Sequence, residues 1–314
     1  MKMKLGISSC LLGESVRFDG GHKLDHFLKD TLGNFVDFVP VCPEFEAGFG
    51  VPREAMRLVG DPSAPRLVTS KTHVDCTARM QLWTEKRLDG LEDEDLCGFV
   101  FKKDSPSSGM ERVRVYNDKG FVKKKGVGLF ARAFMLRFPL VPVEDEGRLH
   151  DDVLRENFIV RIFAYRRWKD QCTMDTRPSA LIEFHARHKY LLMAHSPFNQ
   201  KKMGKLVARI KDVSPSEFCT IYESLFMKAL KYEATVKKNT NVLSHLAGYF
   251  KDRITAEEKI ELHEIIEQYR LGYIPLVVPV TIINHFVRKY NEQYLSSQYY
   301  LYPHPLELKL RNHA

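Results

Sequence analysis

No stretch of this chain approaches the ~18 consecutive apolar residues that a membrane span requires. The longest apolar run, from Tyr273 to Ile283, is broken by two prolines and a threonine. The opening residues lack the apolar core of a secretion signal and read directly as a strand, so a soluble, cytoplasmic protein is expected. There is no Cys-x-x-Cys pair either. The six cysteines stand apart at 10, 42, 76, 97, 172 and 219, which argues against a zinc ribbon or a thioredoxin-type redox pair. In a reducing compartment no disulfide partner is expected for any of them. Internal repeats and low-complexity linkers are also missing.

What is present is a basic excess, unevenly placed. The net charge is +8; residues 151–314 carry 25 Lys and Arg against 18 Asp and Glu, and residues 1–150 carry 23 against 22. A basic half beside a neutral half suits a polyanionic partner, although a merely solvated surface would look the same. The 314 residues suit about two domains, placed at 1–150 and 151–314 with a soft boundary in residues 142–151. The first half alternates strand-like and helix-like segments: strands at 5–8, 35–41, 66–69 and 98–101, helices at 21–32 and 74–88. That order predicts an α/β N-terminal domain with a mainly parallel sheet. The second half reads as an all-α C-terminal domain. Ser214-Pro-Ser-Glu217 and Thr255-Ala-Glu-Glu258 are capping boxes, and Gly272 is placed to end the second of these helices.

Three loops in the first half each follow a predicted strand. They are Ser8-Ser-Cys-Leu-Leu-Gly13, continuing through Val16-Arg-Phe-Asp-Gly-Gly-His22; Val41-Cys-Pro-Glu-Phe-Glu46, continuing through Gly50-Val-Pro-Arg-Glu54; and Lys102-Lys-Asp-Ser-Pro-Ser-Ser-Gly-Met-Glu111. An open parallel sheet binds ligands outside the carboxyl ends of its strands. Thiolates from separate loops brought together there would make a metal centre; equally, Cys10 and Cys42 would serve as small buried hydrophobes.

These three loops together resemble the thiouracil desulfidase family. Ser-Gly-Met-Glu-Arg-Val113, Val143-Glu-Asp-Glu-Gly-Arg148 and Arg155-Glu-Asn-Phe-Ile159 resemble its longer, fused subgroup, in which a helical domain follows. The resemblance covers nearly the whole chain. It implies a 4Fe-4S cluster held by three cysteines, with one iron left open to act as a Lewis acid toward a soft sulfur atom. It implies a non-redox reaction that converts 4-thiouridine in tRNA to uridine and releases sulfide. On the matching positions, Cys10 and Cys42 are the first two ligands to iron, Glu44 is the proton-handling carboxylate, and Ser105 is a proton relay. A desulfidase acting on free thiouracil is the alternative enzyme.

The third loop departs from the family. Where Ser-Pro-Ser-Cys-Gly is usual, this chain has Ser108 in the cysteine's place, and a hydroxyl is a hard, poor ligand for a cluster. Either the cluster has been lost or weakened, or the chain is a disabled variant, or another thiol substitutes. Cys97 is separated from the loop by about four extended residues, roughly 13 Å, which argues against it; Cys76 falls on a predicted helix. Loss of the cluster would leave an RNA-binding protein.

In the second half Lys201, Lys205 and Arg209, with Lys202 beside them, form a basic ridge at helical spacing opposite Met203, Leu206, Val207 and Ile210. Such a ridge suits an RNA backbone. Arg161, Arg166, Arg167 and Lys169 surround Trp168, which would stack on an unpaired base or plug the space between domains. His22 and His26, like His185 and His188, have ligand-like spacing but no evident third ligand. Lys123-Lys-Lys-Gly-Val-Gly128 is a phosphate contact or a solvated turn; it lacks the ending of a P-loop.

Overall fold

Apolar residues recur through Met3–Ser8 (β1), Val36–Val41 (β2), Phe99–Phe101 (β5) and Val143–Asp145 (β8), and the computed structural model joins them in one sheet in the order β2-β1-β5-β8. The structure describes residues 2–117, 120 and 122–312. Every pairing in this sheet is parallel. From β1 the chain crosses to β2 on one side and later returns to β5 on the other, so the strand order switches beside β1, where an open sheet leaves a crevice.

A second sheet is mixed. Met56–Val59 (β3), Arg66–Thr69 (β4), Val113–Tyr116 (β6) and Val122–Gly126 (β7) lie in the order β4-β3-β6-β7. β4 is antiparallel to β3, β3 is parallel to β6, and β6 is antiparallel to β7. The strand expected at 66–69 thus forms but belongs to this second sheet. Thr77–Glu92 (α1) and Leu129–Arg137 (α2) cover the parallel sheet, where Phe99 and Phe101 stack at 4.3 Å and meet Phe130 and Phe134.

Two expected helices change. Residues 21–25 form no helix, because their backbone ties down the first loop: Lys23 N donates to Cys10 O at 2.9 Å and Asp25 N to Leu11 O at 2.9 Å. A single π turn, Phe27–Thr31, follows, with Asp25 Oδ1 accepting from Leu28 N, and it runs into a 3-10 turn at Leu32–Asn34. α1 starts three residues later than expected, since Thr69 N bonds Val74 O and Asp75 bridges Val68 in extended form.

By its contacts the chain divides into two units, Met1–Asp151 and Asp152–Ala314. The second is helical: Asp152–Met174 (α3), Pro178–His195 (α4), Pro197–Ala208 (α5), Pro215–Leu230 (α6), Val236–Ala247 (α7), Ala256–Arg270 (α8) and Val277–Lys289 (α9). Proline occupies the first turn of α4, α5 and α6, where its missing N–H costs nothing. Thr255 and Glu258 cap α8 reciprocally, and Ser214 caps α6. Trp168 lies buried at the centre, stacked on Tyr222 at 4.7 Å and edge-on to Phe184. No helix is long and apolar enough to cross a membrane among the described residues.

Candidate active site

The first, second and third loops leave the carboxyl ends of β1, β2 and β5 on one edge of the parallel sheet. Together they line a cavity of about 370 Å³. Cys10, Cys42, Glu44, Ser105 and Ser108 all contribute to its wall, so the structure brings together the five residues singled out in these loops. Cys10 sits on the single turn Ser9–Leu12 directly after β1, and Cys42 follows β2.

The third loop is held by close backbone packing. The N-terminus of α2 approaches so tightly that Gly128 N donates to Gly109 O and Ala131 N to Ser107 O. A Cβ on Gly128 would lie 2.5 Å from the Ser107 carbonyl, so glycine is required there. The lysine-rich segment before it is mostly the exposed strand β7 rather than a turn. Acidic residues anchor the other end of the loop: Glu146 pairs with the Lys102 ammonium and accepts from Lys103 N at 2.7 Å. Arg148 joins Glu144 to Glu111.

Glu44 is fixed from two sides. Its Oε2 accepts from Arg53 Nε at 3.0 Å and Nη2 at 2.6 Å, and its Oε1 accepts from Ser107 Oγ at 2.9 Å. Ser107 has thereby spent its hydroxyl proton, so Ser105, 3.0 Å away, must be the donor in their contact. Ser105 Oγ in turn accepts from Ser108 N at 3.0 Å. The result is an oriented hydrogen-bond chain from Ser105 through Ser107 to Glu44. Sequence reasoning missed Arg53 and Ser107. Both stand in quoted loop segments, but nothing in their spacing announces that they meet Glu44.

Burial pushes the Cys10 thiol up to about 11, against the opposing pull of Lys102, and raises Cys42 as well. Both are therefore thiols at neutral pH unless a cation takes the proton's place. No other cysteine lines the cavity among the described residues: Cys97 is fully buried just ahead of β5, and Cys76 caps α1 in the core under the second sheet. The third corner is Ser108, itself buried. Two thiols and a hydroxyl do not fit a cluster held by three thiolates. Arg17, Lys23, Lys102 and Lys103 also line the cavity, Arg17 paired with Asp19 at 3.4 Å and Lys102 with Glu146.

In the helical unit, Lys201, Lys202 and Lys205 are exposed on α5 and Arg209 follows its last turn, paired with Asp212 at 3.0 Å. Arg166 pairs with Asp170. Arg167 is not on that surface: it bonds His188 Nε2 and Pro303 O and lies 4.1 Å from the Tyr299 ring centroid, and burial lowers its pKa to about 10. Trp168 is core and offers no face to a base. His26 pairs with Asp30 at the surface, while His185 and His188 bond Tyr222 Oη and Phe184 O in the interior.

Residues 5–146 match the family described as 2-thiouracil desulfurase, and residues 189–305 match a protein of unknown function, DUF1722. The chain is 30% identical over 158 residues to the uncharacterized protein YbgA of Escherichia coli, covering 50% of this chain and 94% of that protein. The chain belongs to the 2-thiouracil desulfurase family, with a DUF1722 domain fused behind it. This desulfurase-family chain is also 27% identical over 150 residues to the uncharacterized protein YbbK of Bacillus subtilis, covering 46% of the chain and 97% of that relative. Among solved structures it is similar to the 4Fe-4S-dependent thiouracil desulfidase TudS, at 28% identity over 48% of this chain and 95% of that one, with a TM-score of 0.39.

Proposed function

We propose that the N-terminal unit exchanges the sulfur of a thiolated pyrimidine for oxygen from water, and that the helical unit presents the base within tRNA, so that 4-thiouridine becomes uridine and sulfide leaves. The observation that carries this reading is the convergence of Cys10, Cys42 and Glu44 on one cavity in a chain of the 2-thiouracil desulfurase family. The net reaction turns a thiocarbonyl and water into a carbonyl and hydrogen sulfide, and it transfers no electrons. Water must lose protons as it adds and the departing sulfur must gain them. A carboxylate held in place by Arg53, with a chain of hydroxyls behind it, is suited to that traffic. The cations that line the cavity, with Lys201, Lys202 and Lys205 in the other unit, favour a substrate carrying phosphates.

The test is anaerobic sulfide release from tRNA containing 4-thiouridine and from free 4-thiouracil, by this chain and by Ser108→Cys. The expected result is release from tRNA, faster by roughly tenfold or more in the cysteine variant. Sulfide from neither protein sinks the desulfidase reading. Equal rates on tRNA and free base would move the substrate to the free thiouracil. Ser108 favours one further reading, a cluster-deficient RNA-binding protein: tRNA would then bind tightly, with sulfide coming only from Ser108→Cys.

A further inference from the structure

The helical unit contains a cavity of its own, about 300 Å³, that the desulfidase reading does not use. It lies where the start of α3, the end of α4, the start of α7 and residues 300–311 meet. Its inner walls are apolar or aromatic, including Val160, Leu191, Leu276 and Tyr300. The segment Arg155–Ile159, which the N-terminal chemistry leaves unexplained, supplies Glu156 and Asn157 to this wall.

Two polar groups on the wall have unused hydrogen-bonding capacity. His195 is 3% exposed, and its Nδ1 lies 2.6 Å from Tyr232 O. A carbonyl only accepts, so this short contact, rather than the 3.4 Å approach of the Asn157 amide nitrogen to the same atom, sets the tautomer: Nδ1 carries the proton and Nε2 is a bare acceptor. Nε2 has no partner among the described residues. Burial holds this imidazole's pKa down to about 4, keeping it neutral. Arg311, 9% exposed, donates from Nε to Glu156 at 2.9 Å and from one Nη to Tyr300 O at 2.7 Å; its second Nη has no bond among the described residues. Glu156 and Arg311 both lie near enough to bias the titration of His195. The wall thus offers an acceptor and a donor in an apolar pocket of the size small ligands use.

The charge balance narrows the ligand. Glu156 already matches the Arg311 charge, so an anion gains little there, and a cation would meet the guanidinium. We propose that this cavity is a second binding site, for a neutral planar heterocycle with an N–H beside a carbonyl, the pattern of a nucleobase. The N–H would donate to His195 Nε2 and the carbonyl would accept from Arg311. Leu191 and Val160 would cover the ring.

The probe is labelled uracil, in equilibrium dialysis against the full chain, Val236→Trp and His195→Leu. Val236 is 43% exposed at the mouth, so tryptophan there narrows the entrance without disturbing the core. His195→Leu removes the acceptor, and Tyr232 O keeps the Asn157 amide as a donor at 3.3 Å. Binding should weaken by about tenfold or more in each variant, with Val236→Trp melting as the unaltered chain does. No uracil binding to the unaltered chain, or unchanged binding in Val236→Trp, overturns the proposal. Because sulfide release is a property of the other unit, losing either result leaves the other standing.

Discussion

In the N-terminal cavity the groups facing inward are thiols, a carboxylate and hydroxyls, all carried on loops that leave neighbouring strand ends. In the helical unit the facing groups are a neutral imidazole, an amide and a guanidinium already matched by a carboxylate, drawn from positions 156, 157, 195 and 311. A parallel sheet gathers its loops at one edge whatever their distance along the chain, so each loop carries its own contribution intact. The pocket of the helical unit draws on α3, α4, α7 and residues 300–311, and no single segment records it. Loop chemistry turns on single residues such as Ser108; the pocket of the helical unit rests on several distant residues at once.

The largest expected effect sharpens that contrast. Anaerobic reconstitution of Ser108→Cys should yield about four irons per chain, against well under half of that for the unaltered protein, read by iron and sulfide quantitation with an absorption spectrum. Substitutions in the helical unit should leave both values alone. Equal iron in the two proteins would show that Ser108 is not what limits the site.

This asymmetry explains what the sequence disclosed. The loops that carry Cys10 and Cys42 were legible because each follows a strand end, Glu44 and Ser105 stood out only through the family resemblance, and the α/β-then-helical order was legible from periodicity and capping boxes. The second sheet was not: β3 has only four residues, β7 is mostly lysine, and β4 reads the same whichever sheet it joins. Arg53 and Ser107 were invisible as partners, since their meeting with Glu44 depends on how two loops fold back. Arg167 misled because an arginine beside lysines and arginines reads as surface, whereas the α3 period turns it toward Tyr299 and His188.

A second contrast lies between ion pairs. Arg53 and Glu44 are shielded, at 6% and 13% side-chain exposure. Arg53→Met would strand the carboxylate and should cost the N-terminal unit about 3 kcal/mol in urea unfolding, with sulfide release falling alongside. Arg209→Ala breaks a pair that is mostly exposed and should change stability by less than about 0.5 kcal/mol. Similar losses in both would remove the distinction between a built site and a solvated surface.

Acidification should move the two units in opposite directions. Burial lowers His185, His195 and His304 to about 4 each and holds His188 well below its ordinary value. The unfolded chain binds protons at these sites first, so their contribution is intact above about pH 6.5 and is lost as pH falls toward 4. Burial raises Glu46, Glu144 and Asp145 in the other unit. Those groups take up protons earlier when folded, so they favour the N-terminal unit as pH falls toward the ordinary carboxylate range. Calorimetry between about pH 7.5 and pH 5 should show the transition of the helical unit falling while that of the N-terminal unit holds or rises. A common downward shift would contradict the assignment.

The smallest effect concerns the two basic clusters of the helical unit. Lys201, Lys202 and Lys205 are exposed and have no ion-pair partner among the described residues, so replacing all three with alanine should weaken tRNA binding by about tenfold at low salt and flatten the salt dependence by roughly two to three counterions. Arg167→Met should leave that slope untouched, because its guanidinium is committed to the interior, and should instead lower the melting temperature of the helical unit. If Arg167→Met changed the slope and the triple lysine variant did not, the surface that meets RNA would lie along α3 rather than α5.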